Sequence, residues 1–263
     1  MTNRLPRLVG MVHLKPLPGS PLFAGSMDEI VETAADDARL LTDAGFPALM
    51  VENFGDVPFY ADTVPPETVA ALTVVVNEVM AAGVPIGVNV LRNDAIAALG
   101  IAAATGARFI RVNVLTGVMF TDQGLITGRA PEVHRLRRSL DLDVEVWADV
   151  LVKHATPPAG LHVEQAAVDT LERGLADALI LSGSGTGAEP DMAEAKVMKD
   201  SVPEATRIVI GSGATSDNLG ALLEVADSVI VGSSIKVDGD ANNRPDPARV
   251  SRFIEEAARR GLV

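Results

Sequence analysis

Short runs of β-branched and other apolar residues alternate eight times with longer amphipathic stretches along this chain. Several runs, such as RIVIG and SVIVG, are almost wholly apolar, which is typical of parallel strands covered on both faces. Strands are predicted over residues 8–14, 48–53, 85–91, 109–115, 144–150, 178–182, 207–211 and 228–232. Because each run is followed by a helical pattern, the chain is built from successive β-then-α units.

Local start and stop signals support the helices between these strands. Ser26 and Glu29 have the spacing of a capping box, and Pro66 and Pro247 suit a first helical turn. Glycines stand where four of the helices should end, at positions 45, 83, 106 and 174. Helices are predicted over residues 27–44, 66–82, 94–105, 130–140, 163–174, 191–201, 216–225 and 247–260.

Eight such units in 263 residues match a (β/α)₈ TIM barrel of the α/β class. The alternative is an open doubly wound sheet, but the first strand runs into HLKPLPG rather than a glycine-rich dinucleotide fingerprint. No composition break divides the chain, so residues 1–263 are predicted to form a single barrel domain. Two long loops are expected, 116–129 with possible glycine hinges and 153–162, and the first is expected to be functional.

Composition excludes several classes of protein. The chain has no cysteine and a net charge of −13, which argues against thiolate sites and against non-specific nucleic-acid binding. No apolar run approaches about 18 residues, so no integral membrane segment is predicted. The first residues lack a signal peptide, which indicates a cytoplasmic protein. A phosphorylated small molecule stays compatible with this charge, because local geometry decides phosphate binding.

Strand alternation predicts which side chains enter the barrel. Outward positions pack against helices and are apolar, as Ile110 and Val112 are, so Arg111 and Asn113 should point inward. The same argument predicts an inward polar set of Glu52, Asn89, Arg111, Asn113, Glu145 and Asp149. Buried charges should pair. Arg111 is predicted to bind substrate, and the alternative is that Arg111 and Glu52 or Glu145 only neutralise one another.

Position along each strand separates structural from functional candidates. Glu145 lies near the start of its strand, at the barrel bottom, where a structural role is expected. Glu52 and Asp149 lie late in their strands and are predicted to be a catalytic acid–base pair or ligands of Mg²⁺ or Mn²⁺. Asn89 and Asn113 would orient substrate hydroxyls.

Further polar residues follow the strand ends. His13 and His154 are predicted general acid or base groups, with a structural hydrogen bond as the alternative. Lys153 is predicted to act in catalysis, by binding a substrate anion or by forming a Schiff base. The remaining predicted substrate-binding residues are Lys15, Arg92, Asn93 and Asp122.

The last three strands end in glycine and serine. Loops after the seventh and eighth strands of TIM barrels often hold a phosphate, since glycine lets backbone N–H groups approach an oxyanion closely. The alternative is ordinary tight-turn chemistry. The predicted phosphate-binding residues are Ser182, Gly183, Gly211, Ser212, Gly213, Gly232, Ser233 and Ser234.

Seven segments resemble the BtpA/SgcQ family. They are residues 10–21 (GMVHLKPLPGSP), 51–59 (VENFGDVPF), 87–94 (GVNVLRND), 109–117 (FIRVNVLTG), 121–124 (TDQG), 148–154 (ADVLVKH) and 232–239 (GSSIKVDG). The resemblance runs nearly end to end. It implies a barrel of the ribulose-phosphate-binding type, a cyanobacterial role in photosystem I biogenesis or stability, and elsewhere a link to sugar-utilisation genes. It implies no settled reaction and no established catalytic residues.

Two hypotheses from different classes therefore stand. The first is an enzyme acting on a phosphorylated sugar or nucleotide-like metabolite by isomerisation, lysis or hydrolysis. The second is a non-catalytic assembly factor, which predicts a large exposed apolar patch. The inward polar cluster favours the enzyme. Self-association into a homo-oligomer is expected, since barrels of this size often associate.

Overall fold

In a computed structural model that describes residues 7–183 and 185–263, eight parallel strands close into a barrel. The strands are β1 (Leu8–His13), β2 (Leu49–Glu52), β3 (Ile86–Asn89), β4 (Phe109–Val112), β5 (Val118–Thr121), β6 (Gly124–Thr127), β7 (Glu145–Asp149), β8 (Ala155–Thr156), β9 (Ala178–Leu181), β10 (Ile208–Ile210) and β11 (Ser228–Val231). The barrel order is β1-β2-β3-β4-β7-β9-β10-β11, closing back on β1. The predicted TIM barrel is confirmed.

Eight α-helices surround the barrel, one after each barrel strand, as predicted. They are α1 (Met27–Ala44), α2 (Pro66–Val79), α3 (Ala95–Thr105), α4 (Ala130–Ser139), α5 (Val163–Val168), α6 (Met192–Asp200), α7 (Leu219–Val225) and α8 (Pro247–Arg259). Ser26 accepts a hydrogen bond from the Glu29 N–H at 3.1 Å, so the predicted cap forms. Gly45 ends α1 with φ 116°, a conformation that favours glycine.

The segment predicted as a long loop is instead a β-hairpin. β5 and β6 pair in antiparallel fashion, and β8, from the second predicted loop, adds to β5 to complete a three-stranded sheet. Gly124 closes the turn with φ 99°. The signal for these strands was present in the β-branched residues Val118, Thr121, Ile126 and Thr127, but four-residue strands give a weak pattern.

The lower barrel interior is apolar and closely packed. The Phe109 and Trp147 rings stack at a centroid distance of 4.5 Å, and Gly87 lies against the Phe109 ring. At the N-terminal end of the barrel, Glu145 accepts a hydrogen bond from Trp147 Nε1 at 2.8 Å and pairs with Arg207 at 3.3 Å. The alternative pairing of Glu145 with Arg111 is therefore wrong, because Arg207, the residue before β10, pairs with Glu145 at this end of the barrel.

The helices of the described residues include none that is both long enough and apolar enough to cross a membrane.

A pair of glycine variants tests the interior packing. A Cβ atom at Gly87 would overlap the Phe109 ring, whereas at Gly100, exposed on α3, it would meet nothing within 4 Å. We expect Gly87→Ala to lower the free energy of unfolding by about 1–3 kcal/mol. Gly100→Ala should raise it by about 0.5–1 kcal/mol, because alanine favours a helix. Urea unfolding measures both, and a neutral Gly87→Ala would contradict this packing.

Candidate active site

The predicted inward residues meet at the C-terminal end of the barrel. The strand registers align His13 with Glu52, Glu52 with Asn89, and Asn89 with Arg111, so four polar side chains stand side by side on four adjacent strands. All four lie on the inward face, because their neighbours Val12, Val51, Val88 and Ile110 pack in the outer core. The alternation argument therefore identified the composition of this cluster.

Arg111 and Asp149 form the centre of the cluster. Arg111 donates from Nε to Asp149 Oδ2 and from Nη2 to Asp149 Oδ1, each at 2.8 Å, and both side chains are almost fully buried. Burial by itself lowers the pKa of Arg111, but the Asp149 carboxylate more than offsets this, so the pKa is raised. Asn113 and Ser182 also donate to Asp149, at 3.3 and 3.0 Å. Arg111 thus pairs with Asp149 rather than with Glu52 or Glu145.

This pairing does not suit the predicted Mg²⁺ or Mn²⁺ site. Both oxygens of Asp149 already accept hydrogen bonds, and the adjacent guanidinium would repel a divalent cation. Within residues 7–183 and 185–263, no group of three or more His, Asp or Glu side chains is placed to hold a metal ion. Glu52 and Asp149 therefore lack the oxygen-rich ligand set that these ions prefer.

His13 and Glu52 form a second contact in the cluster. His13 Nδ1 lies 3.0 Å from the Ala241 carbonyl oxygen, which can only accept, so Nδ1 carries the proton and Nε2 is an acceptor. Nε2 lies 3.8 Å from Glu52 Oε1, and the imidazole stacks on Phe54 at 4.4 Å. Burial, with the charge of Lys236, lowers the pKa of His13 to about 3. Burial also raises the pKa of Glu52, which favours proton transfer nearer neutrality.

Three basic residues stand beside this pair. Lys153 is partly buried, and burial together with Arg111 lowers the pKa of its ammonium group to about 8. Arg92 is 5% exposed and donates from Nη2 to the Lys153 carbonyl oxygen at 2.6 Å. His154 is exposed, and its Nε2 accepts a hydrogen bond from the Thr186 N–H at 3.2 Å. This bond is the structural role that was the alternative to acid–base catalysis for His154.

Two adjoining cavities open at this end of the barrel. The first, the glycine-loop cavity, has a volume of about 270 Å³ and is bounded by the loops after β10 and β11. The second, the hairpin cavity, has about 470 Å³ and lies beneath the β5–β6 turn. They share five lining residues, Glu52, Phe54, Arg111, Lys153 and Thr186. A ligand can therefore extend from one cavity to the other past Glu52.

The structure divides the predicted phosphate-binding residues. Six of them line the glycine-loop cavity: Gly211, Ser212, Gly213, Gly232, Ser233 and Ser234. Ser182 instead hydrogen-bonds to Asp149, and the Gly183 N–H donates to Ser212 Oγ at 3.0 Å. Ser184, in the same run, lies outside the described residues. Gly213 is required by packing, since its φ is 77° and a Cβ atom would overlap the Ala188 carbonyl oxygen.

The remaining predicted substrate-binding residues take different positions. Asp122 and Asn113 line the hairpin cavity. Asn89 donates to Asn113 Oδ1 at 3.1 Å. Asn93 Nδ2 donates to the Val114 carbonyl oxygen at 3.0 Å, and Asn93 Oδ1 accepts from the Val114 N–H at 2.8 Å. These two side chains position β4 rather than face a cavity.

Lys15 is separated from the cluster. It lies at the rim, where its ammonium bonds Glu29 Oε1 at 2.5 Å, and both side chains are about half exposed.

Sequence reasoning missed several residues of the site. Phe54, Thr186, Gly187 and Gln123 line the cavities, and Lys236 is buried behind His13 with its ammonium donating to the Asn243 carbonyl oxygen at 2.9 Å. Burial, only partly offset by Asp37, lowers the pKa of Lys236 to about 8. Lys236 stands between the apolar residues Ile235 and Val237 in the motif GSSIKVDG, but this pattern gave little signal, because lysine is almost never fully buried.

Removing the negative partner of Arg111 should destabilise the chain. We expect Asp149→Asn to reduce the free energy of unfolding by about 3–5 kcal/mol, because it leaves a buried guanidinium uncompensated. The matched control is Asp143→Asn, since Asp143 pairs with Arg108 at 2.9 Å but its side chain is 93% exposed. That change should cost less than about 1 kcal/mol. Equal losses in urea unfolding would refute a central role for the buried pair.

The state of His13 predicts a pH dependence. Its pKa is lowered from 6.5 to about 3 in the folded chain, so the unfolded chain binds more protons between these values. Its contribution to stability is therefore complete above pH 6.5 and is lost as the pH falls toward 3. Compared with wild type, His13→Gln should remove up to about 1.4 kcal/mol per pH unit from the slope of stability in this window. The exposed control His162→Gln should keep the wild-type slope. A slope in His13→Gln as steep as that of wild type would disprove the assignment.

Solved structures resemble the barrel at low sequence identity. A thiamine phosphate pyrophosphorylase from Pyrococcus furiosus superposes with a TM-score of 0.59 at 11% identity, covering 96% of both chains. A phosphoribosyl anthranilate isomerase from Thermus thermophilus gives 0.58 at 14% identity, covering 96% of this chain and 98% of that one. These likenesses establish a shared barrel fold.

Closer relatives are found by sequence. The photosystem I biogenesis protein BtpA of Synechocystis is 48% identical over 252 residues, covering 95% of this chain and 88% of the relative. A sgc region protein, SgcQ, of Escherichia coli is 32% identical over 253 residues, covering 95% and 93%. The profile of the BtpA family matches residues 4–259. On this nearly complete match, the chain belongs to the BtpA family.

Proposed function

We propose that this chain is an enzyme that acts on a phosphorylated sugar or a nucleotide-like small molecule at the C-terminal mouth of the barrel. One observation carries the proposal. The glycine-loop cavity has glycine- and serine-rich loops on one wall, and His13, Glu52, Arg111 and Lys153 on the other. A binding surface suited to phosphate and groups suited to proton transfer thus face the same space.

The phosphate would lie on the loops after β10 and β11. This is the position at which TIM barrels commonly hold phosphate, on backbone N–H groups. Ser233 begins a short 3₁₀ turn, and Gly213 brings the neighbouring backbone close to the cavity. The two structural neighbours described above carry a phosphate or phosphoribosyl group in their names, which supports the same ligand class here.

Glu52 is the group we assign to proton transfer. Its carboxyl group has a raised pKa and lines both cavities, so it contacts whatever spans them. His13 Nε2 faces Glu52 Oε1 at 3.8 Å and would orient the carboxyl group, but its pKa of about 3 makes it too weak a base to take the Glu52 proton. Lys153, with a pKa of about 8, would stabilise negative charge that develops on the substrate. Asp149 holds Arg111 in place and takes no proton in this scheme.

Phosphate binding is the direct test. Inorganic phosphate at about 100 times its Kd should stabilise the chain by about 2.7 kcal/mol in thermal denaturation. Ser233→Asp should abolish this stabilisation, because it places a carboxylate where the anion would lie. Ser251→Asp, on the exposed face of α8, adds the same charge elsewhere and should leave it unchanged. If Ser233→Asp responded to phosphate like wild type, the proposed location would be excluded.

A role in protein assembly is the second candidate. The Synechocystis relative is named as a photosystem I biogenesis protein, and the hairpin carries an exposed apolar pair, Phe120 and Leu125, which are 51% and 57% exposed. The two side chains are cross-strand neighbours, as a small docking surface would require. A chain that bound no phosphorylated ligand but retained a protein partner through this pair would favour assembly over catalysis.

A further inference from the structure

Arg92 carries a buried positive charge that has no contacting carboxylate among the described residues, and Asp149 and Glu52 act on it only from a distance. It is 5% exposed, yet within the described residues no carboxylate lies within salt-bridge distance of its guanidinium. Its one side-chain hydrogen bond runs from Nη2 to the Lys153 carbonyl oxygen at 2.6 Å. An unpaired buried charge is costly, so a position of this kind calls for a partner that the folded chain does not itself supply.

The two other buried arginines of the described residues are paired with carboxylates. Arg111 binds both oxygens of Asp149 at 2.8 Å, and Arg207 contacts Glu145 at 3.3 Å. Lys236, like Arg92, donates to a carbonyl oxygen, that of Asn243 at 2.9 Å, but it lines neither of the two cavities. Arg92 therefore differs from the other buried arginines in having no carboxylate in contact, and from Lys236 in lining the hairpin cavity.

A second cation without a contacting carboxylate stands on the same wall. Within residues 7–183 and 185–263, the Lys153 ammonium forms no ion pair with a carboxylate, and Lys153 lines the hairpin cavity together with Arg92. Asp122, at the hairpin turn, also lines this cavity, but it is exposed and accepts a hydrogen bond from Gln123 at 2.5 Å. The Asp122 carboxylate therefore leaves the two cations without a close partner.

The hairpin cavity also holds an unused acceptor. Gln123 Oε1 is buried and has no hydrogen-bond partner in the described chain. Because buried amide oxygens are nearly always paired, this unpaired oxygen on a residue that lines the cavity is the candidate acceptor for a ligand hydroxyl. The cavity thus offers two cations and one acceptor, with Phe54, Phe59 and Leu91 on its apolar walls.

We propose that the hairpin cavity binds a second anionic group of the substrate, held by Arg92 and Lys153. This inference rests on the proposed function, which places the phosphate in the adjoining glycine-loop cavity. The substrate class is then a hydroxylated molecule with a phosphate at one end and a carboxylate or a second phosphate at the other. Its middle lies at Glu52, which both cavities share.

Matched ligand pairs test the second anion. The pairs are 3-phosphoglycerate against glycerol 3-phosphate, and 6-phosphogluconate against sorbitol 6-phosphate, which differ by a carboxylate in place of an alcohol at two lengths. Ribulose 1,5-bisphosphate against ribulose 5-phosphate tests a second phosphate. In at least one pair, the member with two anionic groups should bind the wild-type chain about tenfold more tightly than the member with one. Thermal denaturation and calorimetry measure this difference in affinity.

Arg92→Met is the informative variant. It should reduce that ratio to about one while leaving the affinity for inorganic phosphate unchanged. Its thermal midpoint without ligand should equal or exceed that of wild type, because an unpaired buried charge is removed. Arg252→Met, on the exposed face of α8, is the charge-matched control and should keep the wild-type ratio.

The outcomes separate the two proposals. If wild type binds inorganic phosphate but binds the two members of every ligand pair equally, the second-anion site is overturned and the proposed function stands. If wild type binds no phosphate compound at all, the proposed function fails, and this inference fails with it. A preference that survives Arg92→Met would also overturn the role of Arg92, whereas a preference limited to the bisphosphate would identify the second group as phosphate.

Discussion

The ion pair between Arg111 and Asp149 is the interaction on which the mouth of the barrel depends. It joins β4 to β7, and through Asn113 and Ser182 it binds the end of β4 and the residue after β9 to the same carboxylate. Burying a charged pair costs little free energy of folding only when its polar atoms are hydrogen-bonded. Both carboxylate oxygens of Asp149 accept hydrogen bonds here. Three segments that end at the C-terminal mouth of the barrel, those of β4, β7 and β9, are fixed relative to one another by one carboxylate.

The pair also determines which groups stay available for chemistry. Since Asp149 is committed to Arg111, Glu52 is left as the carboxyl group that faces both cavities, and its pKa is raised by burial. Lys153 and Arg92 are left as cations, inside a chain whose net charge is −13. Positive charge at the mouth of the barrel, in a protein that is acidic elsewhere, produces a local positive electrostatic potential. This potential favours the binding of small anions at the mouth. Uncompensated charge lowers stability, a cost common at functional sites.

Sequence alone predicted the barrel and much of the cluster, because both follow from strict periodicity. Alternation in Phe109–Val112 turns Arg111 inward whatever its partner, and the eight β-then-α units fix the architecture. Partners depend on register and tilt across strands, so the alternative pairing for Arg111 named Glu52 or Glu145. Asp149 was placed in the same inward set but was not assigned as the partner of Arg111. The hairpin was missed because β5 and β6 have only four residues each. The unpaired state of Arg92 has no sequence signature, since it depends on what does not surround the side chain.

The most direct measurement is a crystal structure of the chain grown with saturating inorganic phosphate. The account predicts tetrahedral density in the glycine-loop cavity, against the backbone near Gly213 and Ser233, with Arg111 still bound to Asp149. Phosphate bound only at the opposite end of the barrel, near Arg137 and Arg138, would contradict it. So would an empty glycine-loop cavity at a concentration that stabilises the chain in solution.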